Sequence, residues 1–245
     1  MIQRAFWKDF WRTLGKSVTR FLSILAITAL GVGFYAGITA TEPDMILSAD
    51  RYYQAQNLAD FSILSPLGFR PEDIEQIRQL PGIQTAEPRS FKDVFLADPA
   101  GRRLTVRLTG HDANDTLNRP LLLDGRLPEA SGEIVLEGGG ELNMTLDIPI
   151  GAILTASVPN GEKISDSLAG QTFTVVGHVQ SPKYISMERG QTNIGDGSID
   201  AYGLVSAADF VVERAMLVEV RTAASRSLVA YSEDYSRHLD ELEPG

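Results

Sequence analysis

Twenty-one consecutive residues without a charge, Phe21 to Thr41 (FLSILAITALGVGFYAGITAT), constrain this chain more than any other feature. As a helix rising 1.5 Å per residue, the run is about 31 Å long, the thickness of a bilayer's hydrocarbon core. Helices of this length in soluble proteins carry a polar face. The apolar region of a cleaved signal peptide is shorter, roughly 7–15 residues, although Ala40 sits where a cleavage site could follow. Residues 21–41 are therefore read as an uncleaved transmembrane helix.

Charge gives the helix a direction. Arg4, Lys8, Arg12, Lys16 and Arg20 precede it against Asp9 alone, a balance of +4, in a chain whose net charge is −10. Asp44 and Asp50 follow it with one nearby base, Arg51. The excess of bases before the span predicts a cytoplasmic N-terminus and an extracytoplasmic body. Within residues 1–20 the bases recur every four positions on one helical face. Phe6, Trp7, Phe10, Trp11, Leu14 and Val18 occupy the other. This pattern predicts an amphipathic helix in the cytoplasmic interface, with Trp7 and Trp11 at headgroup depth and the bases toward anionic lipid. A plain continuation of the span into the cytoplasm is the alternative.

Ala26, Ala29, Gly33, Ala36, Gly37 and Ala40 share one face of the span, and Gly33 and Gly37 form a GxxxG pair. Small residues let a second helix backbone approach closely, so a helical partner within the membrane is expected.

Beyond the span, residues 42–60 read as a helical extension. DFSILSP reads as a strand and GFRPEDIEQIRQLPG as a helix, with Pro71, Glu72 and Asp73 suiting its first turn and Pro81-Gly82 its stop. Residues 83–97 give one or two strands. Asp98-Pro99-Ala100-Gly101 is a turn, and RRLTVRLT alternates as a half-buried strand. EIVLE, AILTASV, QTFTVVGHV and AYGLV are further strands, with a turn at Pro159-Asn160-Gly161. AMLVEVR is a last strand, followed by a helix over 225–242. The expected class is α+β. Residues 61–100 and 215–245 form a split strand–helix subdomain, and residues 101–214 form a β-rich insertion.

Little here points to catalysis. The chain has no cysteine, which excludes disulfides and thiolate metal sites. His111, His178 and His238 are isolated and read as surface or loop residues. Leu14-Gly15-Lys16-Ser17 lacks the first glycine and the preceding strand of a phosphate-binding loop. Gly138-Gly139-Gly140 reads as a flexible turn, and no GxSxG elbow is present. Asn193, Asp196 and Asp200 fit no calcium loop. Asn114-Asp115-Thr116 and Asn143-Met144-Thr145 match a glycosylation sequon by pattern only. No cofactor, metal or catalytic residue is expected, and the acidic body disfavours nucleic acid.

LLLDGRLPEASGEIVLE, IGAILTAS, FTVVGHVQSPKYIS and RGQTNIGDGSIDAYGLV, in that order, resemble the extracytoplasmic region of FtsX-like (MacB-type) ABC transporter permeases. The matching residues include Leu123, Gly125, Arg126, Pro128, Glu133, Ile134, Gly151, Phe173, Val175, Val176, Gly177, Ser181, Pro182, Tyr184, Gly195 and Gly197. The physical roles of the matched residues are structural. Gly125 and Pro128 shape a turn, Phe173 to Val176 form a buried strand, and Gly177 is a bulge or strand end. The resemblance implies a permease subunit, or the N-terminal part of one. Its expected partners are a cytoplasmic ATP-binding cassette ATPase, further permease spans or a second permease copy, the bilayer, and an unidentified substrate or extracytoplasmic protein. Family members continue into three more spans where this chain ends at Gly245, so a fragment or split subunit is expected. The competing expectation is a single-span anchored module that binds a ligand or activates an enzyme without transport.

Overall fold

The computed structural model describes residues 7–8, 10–12, 18–138, 148–159, 161–184, 189–212 and 214–242. The chain divides into two compact units, residues 1–49 and 50–245, each described here by itself.

In the first unit, residues 7–8 and 10–12 are helical and exposed. Trp7, Phe10 and Trp11 stack edge to face, with successive ring centroids 5.9 Å apart. Lys8, Arg12 and Arg20 are exposed, whereas Arg4 and Lys16 lie outside the described residues. Helix α1 runs Val18–Gln56. It contains a window of mean hydropathy 2.0, none of it buried, long and apolar enough to cross a membrane. Ser23, Thr28, Thr39 and Thr41 return their hydroxyl protons to the carbonyl four residues back, so the span leaves none of these groups unbonded.

The helix stops at Gln56, four residues short of the expected extension. Asn57 takes a positive φ of 53°, and the Leu58 amide reaches back to the Tyr53 carbonyl at 3.0 Å, a Schellman closure.

The second unit is mixed α+β and holds two sheets. The smaller has strand order β1-β10-β2, from Phe61–Phe69, Ala215–Thr222 and Ile83–Arg89, all antiparallel. Helix α2 (Pro71–Arg78) covers one face. Ile74 and Ile77 pack there on Ala86, Val218, Val220 and Ile63. Asp73 clamps the start of this helix, accepting from the Arg70 amide at 2.9 Å.

The larger sheet has order β5-β8-β6-β9-β4-β3-β7. Its strands are β3 (Phe91–Ala97), β4 (Arg103–His111), β5 (Leu121–Gly125), β6 (Glu133–Glu137), β7 (Ile153–Ser157), β8 (Thr172–Gln180) and β9 (Ala201–Ser206). The β7 strand also pairs with β8, which closes the sheet into a six-stranded barrel. The first part of β8 pairs with β7 and its last part with β5, so the two strands share one edge. Phe173, Val175, Leu96, Leu108, Ile134 and Leu136 fill the interior.

Three sequence expectations are corrected. Residues 91–97 do not belong with the small sheet. The turn at Asp98–Gly101 makes β3 and β4 a hairpin, and hairpin partners share a sheet, so β3 joins the barrel and the boundary falls at Ser90 instead of residue 100. The expected helix over 225–242 shrinks to α3, Glu233–Asp240. Tyr231 has φ 64°, which breaks a helix, and Ser232 starts a new one by accepting from the Tyr235 amide. Leu121–Gly125 forms a strand where only the turn at its end was expected.

That turn has a strict requirement. Gly125 has φ 76°, and a β-carbon there would lie 2.2 Å from the Val176 carbonyl oxygen. At Gly177, across the pair, a β-carbon would lie 2.6 Å from the Arg126 carbonyl oxygen. Only glycine lets the two backbones approach this closely.

Candidate functional site

Strand alternation puts Ala86 of β2 and Val218 and Val220 of β10 toward α2. It therefore puts Glu87, Arg89, Glu219 and Arg221 on the opposite face. A charged face normally meets water. Here all four residues are buried: the barrel's loops cover Glu87, Arg89 and Glu219, and the end of α1 covers Arg221. Glu87 lies directly across from Glu219 in the ladder, a like-charge pairing that needs a cation to tolerate it.

Arg89 is that cation. Its Nε donates to Glu219 Oε2 at 3.0 Å and its Nη2 to Glu87 Oε2 at 2.8 Å, while Nη1 lies 2.5 Å from Asp115 Oδ1. Glu87 also accepts from the Thr116 amide and hydroxyl. Lys183 Nζ donates to Glu219 Oε1 at 2.6 Å, and His111 Nδ1 lies 3.1 Å from Asp115 Oδ2. The network therefore ties the small sheet to β4, to the loop after it and to the loop after β8.

Burial opposes each of these charges, and their partners outweigh it. Burial works against the Arg89 cation, but Glu219, Asp115 and Glu87 hold its pKa above the usual value. Burial would likewise raise Asp115, yet His111 and Arg89 hold it below the ordinary carboxylate range. Glu219 is lowered too, with Lys183 and Arg89 overcoming its burial.

Beside the network a cleft of about 500 Å³ opens between the sheets. Phe69, Pro71 and Ile74 form one wall, Gly110, Asp112 and Asn114 the other, with Arg89 and Ser90 at its base. Ser90 alone separates β2 from β3, so this short link joins the two sheets.

A second joint ties the end of α1 to the C-terminal segment. Asp50 accepts from the Ala230 amide at 2.9 Å, and the hydroxyls of Tyr53 and Tyr231 are 2.8 Å apart. Arg221 donates to Asn57 and Gln54. Asp60 accepts from the Thr222 amide and hydroxyl and from the Tyr235 hydroxyl. The hydroxyl proton of Thr222 is used on Asp60, so His238 Nε2, 3.0 Å away, must be the donor to Thr222. Burial, then the Tyr231 hydrogen bond, push the Tyr53 phenol up.

The matched residues Arg126 and Glu133 form a bidentate ion pair across the β5–β6 turn. The Arg126 bond, then the Glu129 amide, hold Glu133 down at about 2. Ala26, Ala29, Gly33, Ala36, Gly37 and Ala40 are all exposed along α1, with nothing within 4 Å of the positions a β-carbon would take at Gly33 and Gly37. Asp196 is spent on a local bond to Ser198, and Asp200 accepts from the Thr105 amide of β4. Asn143 lies outside the described residues. Among the described residues no group of three His, Cys, Asp or Glu could hold a metal. Sequence reasoning missed the network because its bonded members lie far apart in the chain, Arg89 and Glu219 by 130 residues.

No protein-family model and no curated protein matches the chain. Among solved structures it is similar to the extracellular domain of the noncanonic ABC-type transporter YknZ from Gram-positive bacteria, at 14% identity and TM-score 0.42, covering 73% of this chain and 86% of that one. It is also similar to the periplasmic region of MacB from Actinobacillus actinomycetemcomitans, at 14% identity and TM-score 0.40, covering 74% and 75%. A domain of a putative permease protein from Porphyromonas gingivalis gives 15% identity and TM-score 0.36, covering 74% and 69%.

Proposed function

We propose that this chain is a permease subunit of an ABC transporter, or the N-terminal part of one, anchored in the plasma membrane with its N-terminus in the cytoplasm. Its extracytoplasmic domain couples ATP hydrolysis in a partner subunit to export or extraction of a substrate at the outer face. The observation that carries this reading is topological. In the small sheet β10 lies between β1 and β2, and the whole barrel is inserted in the chain between β2 and β10. A domain built this way keeps both its entrance and its exit on one small sheet. The joint of Asp50, Tyr53 and Gln54 with Arg221, Ala230 and Tyr231 holds those two ends together. Movement of α1 would then reach β10 directly. The split-subdomain reading, with the boundary moved to Ser90, belongs to the same proposal.

Orientation has a direct check, since the chain carries no native cysteine. In intact cells Ala100→Cys, on an exposed turn, is expected to react with an impermeant thiol reagent and Arg12→Cys to be protected. The reverse pattern would overturn the orientation.

The small-residue face of α1 is proposed as the contact to the remaining spans. In the assembly with its ATPase, Gly33→Leu should uncouple ATP hydrolysis from substrate movement by overpacking that contact, at a cost of about 1–3 kcal/mol. ATP turnover and substrate movement measured side by side decide it. Unchanged coupling removes the glycine face from the mechanism, and ATP turnover by the purified chain alone would defeat the permease reading.

A further inference from the structure

The small sheet has a free edge inside the cleft. β2 pairs with β10 on one side only, and Pro88, Arg89 and Ser90 at its end line the cleft. Successive carbonyls of a strand point to opposite edges, so those of Ala86, Pro88 and Ser90 share the edge away from β10. Two of the three are taken. The Ala86 carbonyl accepts from Arg78 Nε at 2.9 Å, and the Ser90 carbonyl accepts from the Gly110 amide at 2.9 Å. The Pro88 carbonyl between them has no partner among the described residues. Proline has no N–H, so at this point the edge offers an acceptor and no donor. The two closed positions, Ala86 and Ser90, are about 13 Å apart at 3.3 Å per residue, which leaves room for a short segment and not for a long strand.

The walls on either side of this edge differ in chemistry. On the face of the sheet that carries α2, the wall is apolar: Phe69, Pro71 and Ile74. On the other face, the loop after β4 brings Asp112 and Asn114. Asp112 Oδ1 accepts from the Asn114 amide and side-chain nitrogen, while Oδ2 has no partner among the described residues. The other charged groups of the lining are engaged. Arg89 is shared by Glu87 and Asp115, and Arg78 is bonded to Ala86 and lies 3.5 Å from Glu75. We propose that this cleft of about 500 Å³ binds a short extended polypeptide segment in which apolar and basic residues alternate. Side chains of an extended segment point alternately to the two faces. Along this edge the apolar ones meet Phe69, Pro71 and Ile74, and the basic ones meet Asp112. A backbone N–H of the segment donates to the Pro88 carbonyl, as in strand addition to an open sheet edge. The net charge of −10 draws such a cationic segment toward the chain.

The site rests on the cleft and not on the transport reading, so either can fail alone. The test uses the full chain in phosphatidylcholine nanodiscs. The probe is a fluorescent, end-blocked hexapeptide of alternating leucine and lysine, followed by anisotropy. Saturable binding is expected, with none to empty nanodiscs. Asp112→Asn should weaken it about tenfold by removing a charge-assisted bond. Glu162→Gln makes the same charge change at an exposed position outside the cleft and should leave it unchanged. Ala207→Trp, at an exposed position on the cleft wall, should abolish binding by filling the space. A peptide methylated on its backbone nitrogens should bind at least tenfold more weakly, and one with glutamate in place of lysine should not bind. Several results would overturn the proposal: no saturable binding, equal loss in Asp112→Asn and Glu162→Gln, unchanged binding in Ala207→Trp, or equal binding of the methylated or glutamate peptide.

Discussion

Replacing Arg89 with methionine is expected to destabilise the protein by about 3–5 kcal/mol, because it leaves buried carboxylates without their shared cation. Three separate nitrogens of the guanidinium each meet one carboxylate, at distances of 2.5–3.0 Å. Methionine matches much of the volume, so lost packing contributes little, and the cost is the uncompensated charge of Glu87, Asp115 and Glu219. A surface pair provides the reference. Lys92 and Glu162 also bond, at 2.8 Å, but Glu162 is 57% exposed, and Lys92→Met should cost at most about 1 kcal/mol. Adding Glu219→Gln to Arg89→Met should recover part of the loss by removing one stranded charge, although Lys183 then loses its partner. Denaturant unfolding of the full chain in detergent, with all variants side by side, measures these differences. If Arg89→Met cost no more than the surface pair, the carboxylates at this junction would not be ionised together.

Phe173→Ala should cost a comparable amount, about 3–5 kcal/mol, for a different reason. Phe173 is fully buried, and its strand pairs with β7 on one side and β6 on the other. A barrel closed on itself cannot collapse into the space left by a lost ring, because each wall is fixed by hydrogen bonds to two neighbours. The deleted ring leaves a cavity facing Val175 and its fellow core residues. Ile153 lies on the adjacent strand but is 56% exposed, and Ile153→Ala should stay within about 0.5 kcal/mol. Equal, small losses at both positions would mean that the barrel interior relaxes, contrary to close packing.

These two residues differ in how readable they were. Phe173 stands in QTFTVVGHV, where alternation alone marks a buried face, and its burial follows from local pattern. Arg89 stands in IQTAEPR, where the same alternation sends Glu87 and Arg89 to the polar side. Alternation says that this side is polar, not whether water covers it. The barrel's loops do so instead, and Asp115 and Lys183 arrive from residues far along the chain. His111 looked isolated for the same reason: of the network's members only Asp115 is near it in sequence. The shortened C-terminal helix was hidden because Tyr231 adopts a left-handed conformation that nothing in its residue type announces.

The sequence by itself determined the features that depend on a residue and its near neighbours. These are the uncharged run long enough to cross a bilayer, the period-two strands, the capped helix at Pro71, and the glycine at 125 where the chain turns. Each follows from spacing, side-chain chemistry or backbone freedom over a few residues. Tertiary structure alone decided what depends on pairing between distant segments. It closed the barrel by giving β8 three partner strands, assigned Phe91–Ala97 to that barrel, and turned a polar strand face into a buried charge network beside a cleft. The physical reason is that a strand's pattern specifies which faces are apolar and which polar, while the identity of its neighbours, and hence what covers each face, is set only when the whole chain packs.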